Sequence, residues 1–103
     1  MKEGEIVSIK YVKENDERSI RCILPMYAPK YYVKAIDLTE TSKEDCKQLE
    51  ALAKEYIDYK ESQIKKMYNF EDWLSHTGHD FNNLKWRTFK IDNILDEWET
   101  PKE

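Results

Sequence analysis

The chain has 103 residues, 37% of them charged and 40% hydrophobic, with a formal net charge of −4. That length fits one domain with a modest core of its own, and the apolar share is too high for a disordered chain. The acidic balance argues against a protein living on nonspecific phosphate contacts, although it leaves room for a local basic pocket.

Two glycines and three prolines predict regular elements and few loops, and seven Tyr and three Trp supply large side chains. Cys22 and Cys46 follow no metal spacing, so they read as reduced, partly buried thiols of a cytosolic protein. No apolar run approaches the ~18 residues of a membrane span, and no signal-peptide core is expected at the start. The expected address is the cytoplasm.

Val7, Ile9 and Tyr11 alternate with Ser8 and Lys10, the period of a half-buried strand over 5–12. Glu14, Asn15, Asp16 and Glu17 form a polar turn suited to left-handed backbone angles. A second strand over 19–24 places Ile20, Cys22 and Leu24 on one side and Arg21 and Ile23 on the other. Pro25 should end it, because proline cannot donate to a ladder. A third strand over 30–37 sets Tyr31, Val33 and Ala35 against Tyr32, Lys34 and Ile36. Both faces are largely apolar, so this strand is expected to be central.

At Thr41 and Ser42 the period changes. Ser42 and Asp45 form an N-cap pair, and Cys46, Leu49, Ala53, Tyr56, Ile57, Ile64 and Met67 recur at helical steps. The spacing predicts a helix over 43–68, about 39 Å long at helical rise, with enough length to project or to meet a partner. Asn69 with Asp72 caps a second, short helix carrying Phe70, Trp73 and Leu74, and Gly78 suits its left-handed end. The segment 84–95 reads as one long last strand. Its apolar phase slips from Leu84 and Trp86 to Phe89 and Ile91, which predicts a β-bulge near Arg87 and Thr88. The acidic segment 97–103 reads as a frayed tail.

Two separated pieces carry a resemblance. One is Arg21-Cys22-Ile23-Leu24-Pro25 followed by Tyr31-Tyr32-Val33-Lys34-Ala35-Ile36-Asp37; the other is Arg87-Thr88-Phe89-Lys90-Ile91-Asp92-Asn93-Ile94. Together they resemble the WYL domain, a small SH3-like barrel of bacteria and their phages. Tyr31 stands for that family's tryptophan, Tyr32 matches its tyrosine, Val33 stands for its leucine, and Asn93 occupies the place of a second arginine. The resemblance covers about half the chain. It implies a ligand- or nucleic-acid-sensing regulatory barrel, often linked to DNA damage or phage defence, with Arg21, Tyr32 and Arg87 as the residues carried over. The expected architecture is α+β: an SH3-like barrel in the order β-β-β-α-α-β over 1–103, with a helical insertion over 42–78 before the last strand.

Arg87, flanked by Trp86 and Phe89, can offer a planar fork to phosphate and stack on a base. Its plain alternative is a surface ion pair with Asp37 or Asp92. Arg21 shares a face with Ile23, so it either points into a pocket or simply ends a strand. Tyr31 and Tyr32 point to opposite faces, and Tyr32 is the one expected at a binding surface, with Lys34 beside it. Lys85 and Lys90 read as solvated. His76 and His79 lack further ligands in range, so no metal site is expected. No phosphate loop, nucleophile elbow or paired catalytic carboxylate emerges, so neither an enzyme nor a cofactor is expected.

The first functional expectation is therefore a non-enzymatic module that takes a nucleic acid or nucleotide-type anion on Arg21, Tyr32, Lys34 and Arg87. The alternative is a protein-interaction factor of phage or mobile-element type. It would dock on a host protein, or on a second copy, through Tyr56, Tyr59, Ile64 and Met67 of the long helix.

Overall fold

Alternation near the amino-terminal end builds β1 (Val7–Val12) and β2 (Arg18–Tyr27), paired antiparallel with Val7 opposite Ile23 and Val12 opposite Arg18. This computed structural model describes residues 1–62, 69–79, 81 and 84–99. The hairpin closes through Asp16 at φ 61°, a left-handed value that aspartate tolerates. β3 (Tyr32–Asp37) pairs with β2, and β4 (Trp86–Lys90) pairs with β3. β5 (Ile94–Glu99) returns to pair with β1. The product is one five-stranded antiparallel sheet in the order β4-β3-β2-β1-β5.

β4 and β5 hold opposite edges of this sheet, yet only a three-residue 3-10 turn, Ile91–Asn93, joins them. Four interstrand gaps of about 4.8 Å would set the edges of a flat sheet about 19 Å apart. A 3-10 turn advances only about 2 Å per residue. The sheet must therefore curl, but among the described residues no ladder joins β4 to β5 and the sheet stays open.

The curl leaves a distinct core on each face. Ile9, Ile23, Val33, Ala35 and Phe89 fill the inner one, with Tyr11 edge-on to Phe89 at 5.0 Å. Leu24, Met26, Ile36 and Leu38 belong to the outer one, where helices cover them. Val33 and Ala35 thus face one core and Ile36 the other, which is why β3 reads as apolar on both sides. A valine or isoleucine side chain taken fully from water contributes about 1.5–3 kcal/mol.

The outer core is closed by α1 (Lys43–Ser62) and α2 (Phe70–His76). Ser42 Oγ accepts from Asp45 N at 3.2 Å, and Asn69 Oδ1 accepts from Asp72 N at 2.8 Å, so both expected caps form. Leu49, Leu52, Ala53 and Tyr56 recur at helical spacing and bury one stripe of α1. Tyr56 packs on Phe70 and Trp73 at 5.3 and 5.8 Å between ring centroids. Segment 63–68 of the expected helix lies outside the described residues. Gly4 permits close approach at the back of α1. Its φ is 83°, and a Cβ there would sit 2.8 Å from Ile57 Cδ1.

Three expectations are corrected. The stretch 84–95 is not one bulged strand, because the 3-10 turn divides it into β4 and β5. Glu97, Trp98 and Glu99 are no frayed tail, since they pair with Ile9, Ser8 and Val7. Pro25 does not end β2, which runs on to Tyr27 through a register shift. Pro25 O accepts from Gly4 N at 2.8 Å. Its missing donor therefore faces the side where β1 has already ended, and no ladder bond is lost there.

Candidate functional site

Register brings three charged residues to one end of the inner face. Asp37 lies opposite Ile23, and Arg21 is two positions before Ile23 on the same side of β2. Arg87 lies opposite Ala35, two positions before Asp37. Asp37 Oδ2 receives both guanidinium groups, Arg87 Nη1 at 3.4 Å and Arg21 Nη1 at 3.6 Å. Asp37 Oδ1 accepts from Thr39 N at 3.0 Å and from Thr39 Oγ1 at 2.6 Å. Thr39 Oγ1 in turn accepts from Cys22 N at 3.1 Å, tying the network back to β2.

The carboxylate is fully engaged and its side chain is 6% exposed. Burial acts to raise its pKa. The Thr39 hydrogen bonds and the two arginines outweigh that and hold it below its ordinary 3.8. The arginines are less committed. Each reaches Asp37 through one nitrogen, and their side chains are 27% (Arg21) and 45% (Arg87) exposed. A guanidinium has five donors, so among the described residues most of each fork stays open. Two cations against one anion leave the cluster with one unit of positive charge.

This cluster borders a cavity of about 390 Å³ between the sheet end and the start of α1. Thr39, Thr41 and Ser42 supply hydroxyls, while Ile36, Leu84 and Phe81 give an apolar wall. Lys85 and Glu40 pair across its rim at 3.1 Å, and Asp45 also lines it. Formal charges in the lining balance at three of each sign, and the amino-terminal end of α1 adds a partial positive charge. Asn93, in the place of the family's second arginine, does not line this cavity.

The four residues expected in one pocket divide into two pairs. Arg21 and Arg87 come together at Asp37. Tyr32 and Lys34 lie on the other face of β3 and toward its opposite end, and neither lines the cavity. Tyr32 instead meets Tyr27 edge-on at 6.2 Å, and Lys34 is exposed. Alternation along β3 carries this separation, because Tyr32 and Asp37 differ by an odd number of positions. Thr39, Lys30 and Tyr27 were not singled out from the sequence; turn and corner positions carry no periodic signal.

On the helices, Tyr56 is buried in the outer core and Tyr59 packs on Trp73 at 6.4 Å. Ile64 and Met67 lie outside the described residues. Trp86 Nε1 donates to Glu71 Oε1, fastening β4 to α2. No disulfide joins Cys22 and Cys46. Burial pushes the Cys46 thiol up, with Cys22, Asp45 and Glu50 adding to it, which opposes thiolate chemistry. Among the described residues, no group of three His, Cys, Asp or Glu is placed to hold a metal ion. No helix there is long and apolar enough to cross a membrane.

No protein family, no curated protein and no solved structure matches this chain in comparison.

Proposed function

We propose that this chain is a non-enzymatic regulatory module of WYL type, an SH3-like barrel whose arginine cavity takes a nucleotide-type anionic ligand. One observation carries the reading: Arg21 and Arg87 share a single carboxylate oxygen and keep most of their donors for a further anion. Asp37 acts as the fixture that holds both forks in place before the ligand arrives, so little ordering cost falls on binding. The apolar wall of Ile36, Leu84 and Phe81 suits a base or another flat group beside the anion. The curl of the sheet and the three-residue link between its edges support the barrel part of the reading.

The test is calorimetric titration of mono- and dinucleotides, cyclic and linear, into the wild type and into Arg87→Ala. Saturable binding should weaken by about 10- to 100-fold in the variant, the worth of a charge-assisted hydrogen bond or two. A wild type that binds no nucleotide, or an Arg87→Ala protein that binds as well as wild type, sinks the reading.

A further inference from the structure

The two edge strands of the sheet differ in charge and in occupation. β4 carries Arg87 and Lys90; its Arg87 is tied to Asp37 and its Trp86 to Glu71. β5 carries Asp96, Glu97 and Glu99 and no basic residue. Among the described residues, no strand pairs with its outer backbone edge. Leu95 and Trp98 of β5 are 48% and 39% exposed. From Ile94 to Glu99 the strand runs about 17 Å at strand rise, room for about six residues of a partner strand.

A cavity flanks each end of this strand. At its start, Ile91, Ile94 and Leu95 line about 350 Å³. At its end, Trp98 and the carboxylates of Glu5, Glu50, Glu97 and Glu99 line about 320 Å³. The positive groups in that second lining are Lys2 and the Met1 amino group, so four carboxylates against two cations leave two negative charges over. Lys2 meets Glu5 at 3.5 Å, the amino group meets Glu97 at 3.6 Å, and Glu50 accepts from Ile6 N at 2.7 Å. The Glu99 carboxylate has no partner among the described residues. Charges on an edge strand commonly guard it against pairing. An acidic guard repels an acidic strand, but a basic one relieves the repulsion and brings a cation to the Trp98 ring. The same charges that exclude other chains therefore select this one.

We propose that β5 captures an extended, basic peptide segment of another protein by strand addition, with a Lys or Arg side chain in the cavity of Trp98 and Glu99 and an apolar one against Ile94 and Leu95. Main-chain hydrogen bonds along the open edge hold the segment, and the two cavities read its side chains. This capture depends on neither the arginine cavity nor the long helix.

The test is fluorescence anisotropy of a labelled peptide about eight residues long, lysine and arginine alternating with threonine and valine, titrated with the full chain. The wild type should bind it saturably, and hydrogen exchange at the β5 amides should slow on binding. A Glu97→Lys, Glu99→Lys double variant should melt as the wild type does and lose at least about tenfold in affinity. Arg87→Ala should bind the peptide unchanged. Methylating alternate backbone nitrogens of the peptide should cost at least about tenfold in one phase and little in the other, because only one row of N–H groups faces β5. That arm uses the wild-type protein, so it holds whatever the stability of the double variant. No binding of the basic peptide would overturn the proposal, as would equal binding of a counterpart with glutamate in place of lysine and arginine. So would undiminished binding by the double variant, or by both methylated peptides, which would leave charge attraction without strand pairing. Self-association that the double variant abolishes and the peptide fails to displace would reassign the edge to a second copy, whose β4 is also basic.

Discussion

The two ends of β3 solve the same problem in opposite ways. At the Asp37 end, two arginines converge on one buried carboxylate, and Thr39 takes up its other oxygen. At the Tyr32 end, Tyr27, Lys34 and Lys90 are exposed, and among the described residues neither lysine is paired with a carboxylate. The first arrangement ties β2, β3 and β4 together, so its residues serve the fold before they serve a ligand. The second holds nothing together. Charge shared with a buried partner holds the strands together first, and only the donors left over from that pairing are available for recognition.

Breaking the first end should show the largest effect. Asp37→Ala strands two arginines and removes the acceptor for Thr39, and should cost about 3 kcal/mol. Urea unfolding would read that loss directly. For a domain of this size it corresponds to a melting midpoint lower by about 10–20 °C. A smaller cost, below about 1 kcal/mol, would mean that the network is ornamental to the fold.

Acid should produce the same failure more gently. The folded-state pKa of Asp37 is depressed, so its contribution is full above the unfolded value of about 3.8 and is lost as pH falls through the folded value. Unfolding midpoints measured from pH 5 downward should therefore decline faster below about pH 4 in the wild type than in Asp37→Asn, which has no carboxylate to protonate there. Parallel curves would contradict the assignment. The smallest effect belongs to the other end: Tyr31→Ala and Lys34→Ala should each shift stability by no more than about 0.5 kcal/mol. A larger loss would show that the Tyr32 end is structural after all, and the contrast between the ends would collapse.

Much of the local structure was legible. Ser42 and Asn69 announced both helix starts, Gly78 adopts the left-handed φ of 82° expected at a helix end, and the hairpin around Asp16 followed from its composition. Asp37 was already a plausible partner for Arg87. The division of 84–95 was not legible, for a physical reason. A one-residue slip in apolar phase is produced equally by a bulge and by a tight turn, and only long-range pairing distinguishes them. β5 finds its partner in β1, at the far end of the chain, where no local pattern reaches. Grouping Tyr32 and Lys34 with the arginines failed for a different reason. Resemblance carries residues across one at a time, whereas strand alternation sends Tyr32 and Asp37 to opposite sides.

The pairing of β1 with β5 also governs how the chain must fold. Val7 meets Glu99, so forming this ladder closes a loop spanning nearly the whole sequence, and most of the entropy of that closure is lost before any contact compensates it. Sheets built on such distant contacts form in milliseconds to seconds, not microseconds. Throughout that interval β1 waits with one edge bare, a template for a neighbouring chain as much as for its own last strand. The three-residue turn after β4 shortens the wait, because once β4 docks on β3 it delivers β5 close to its place.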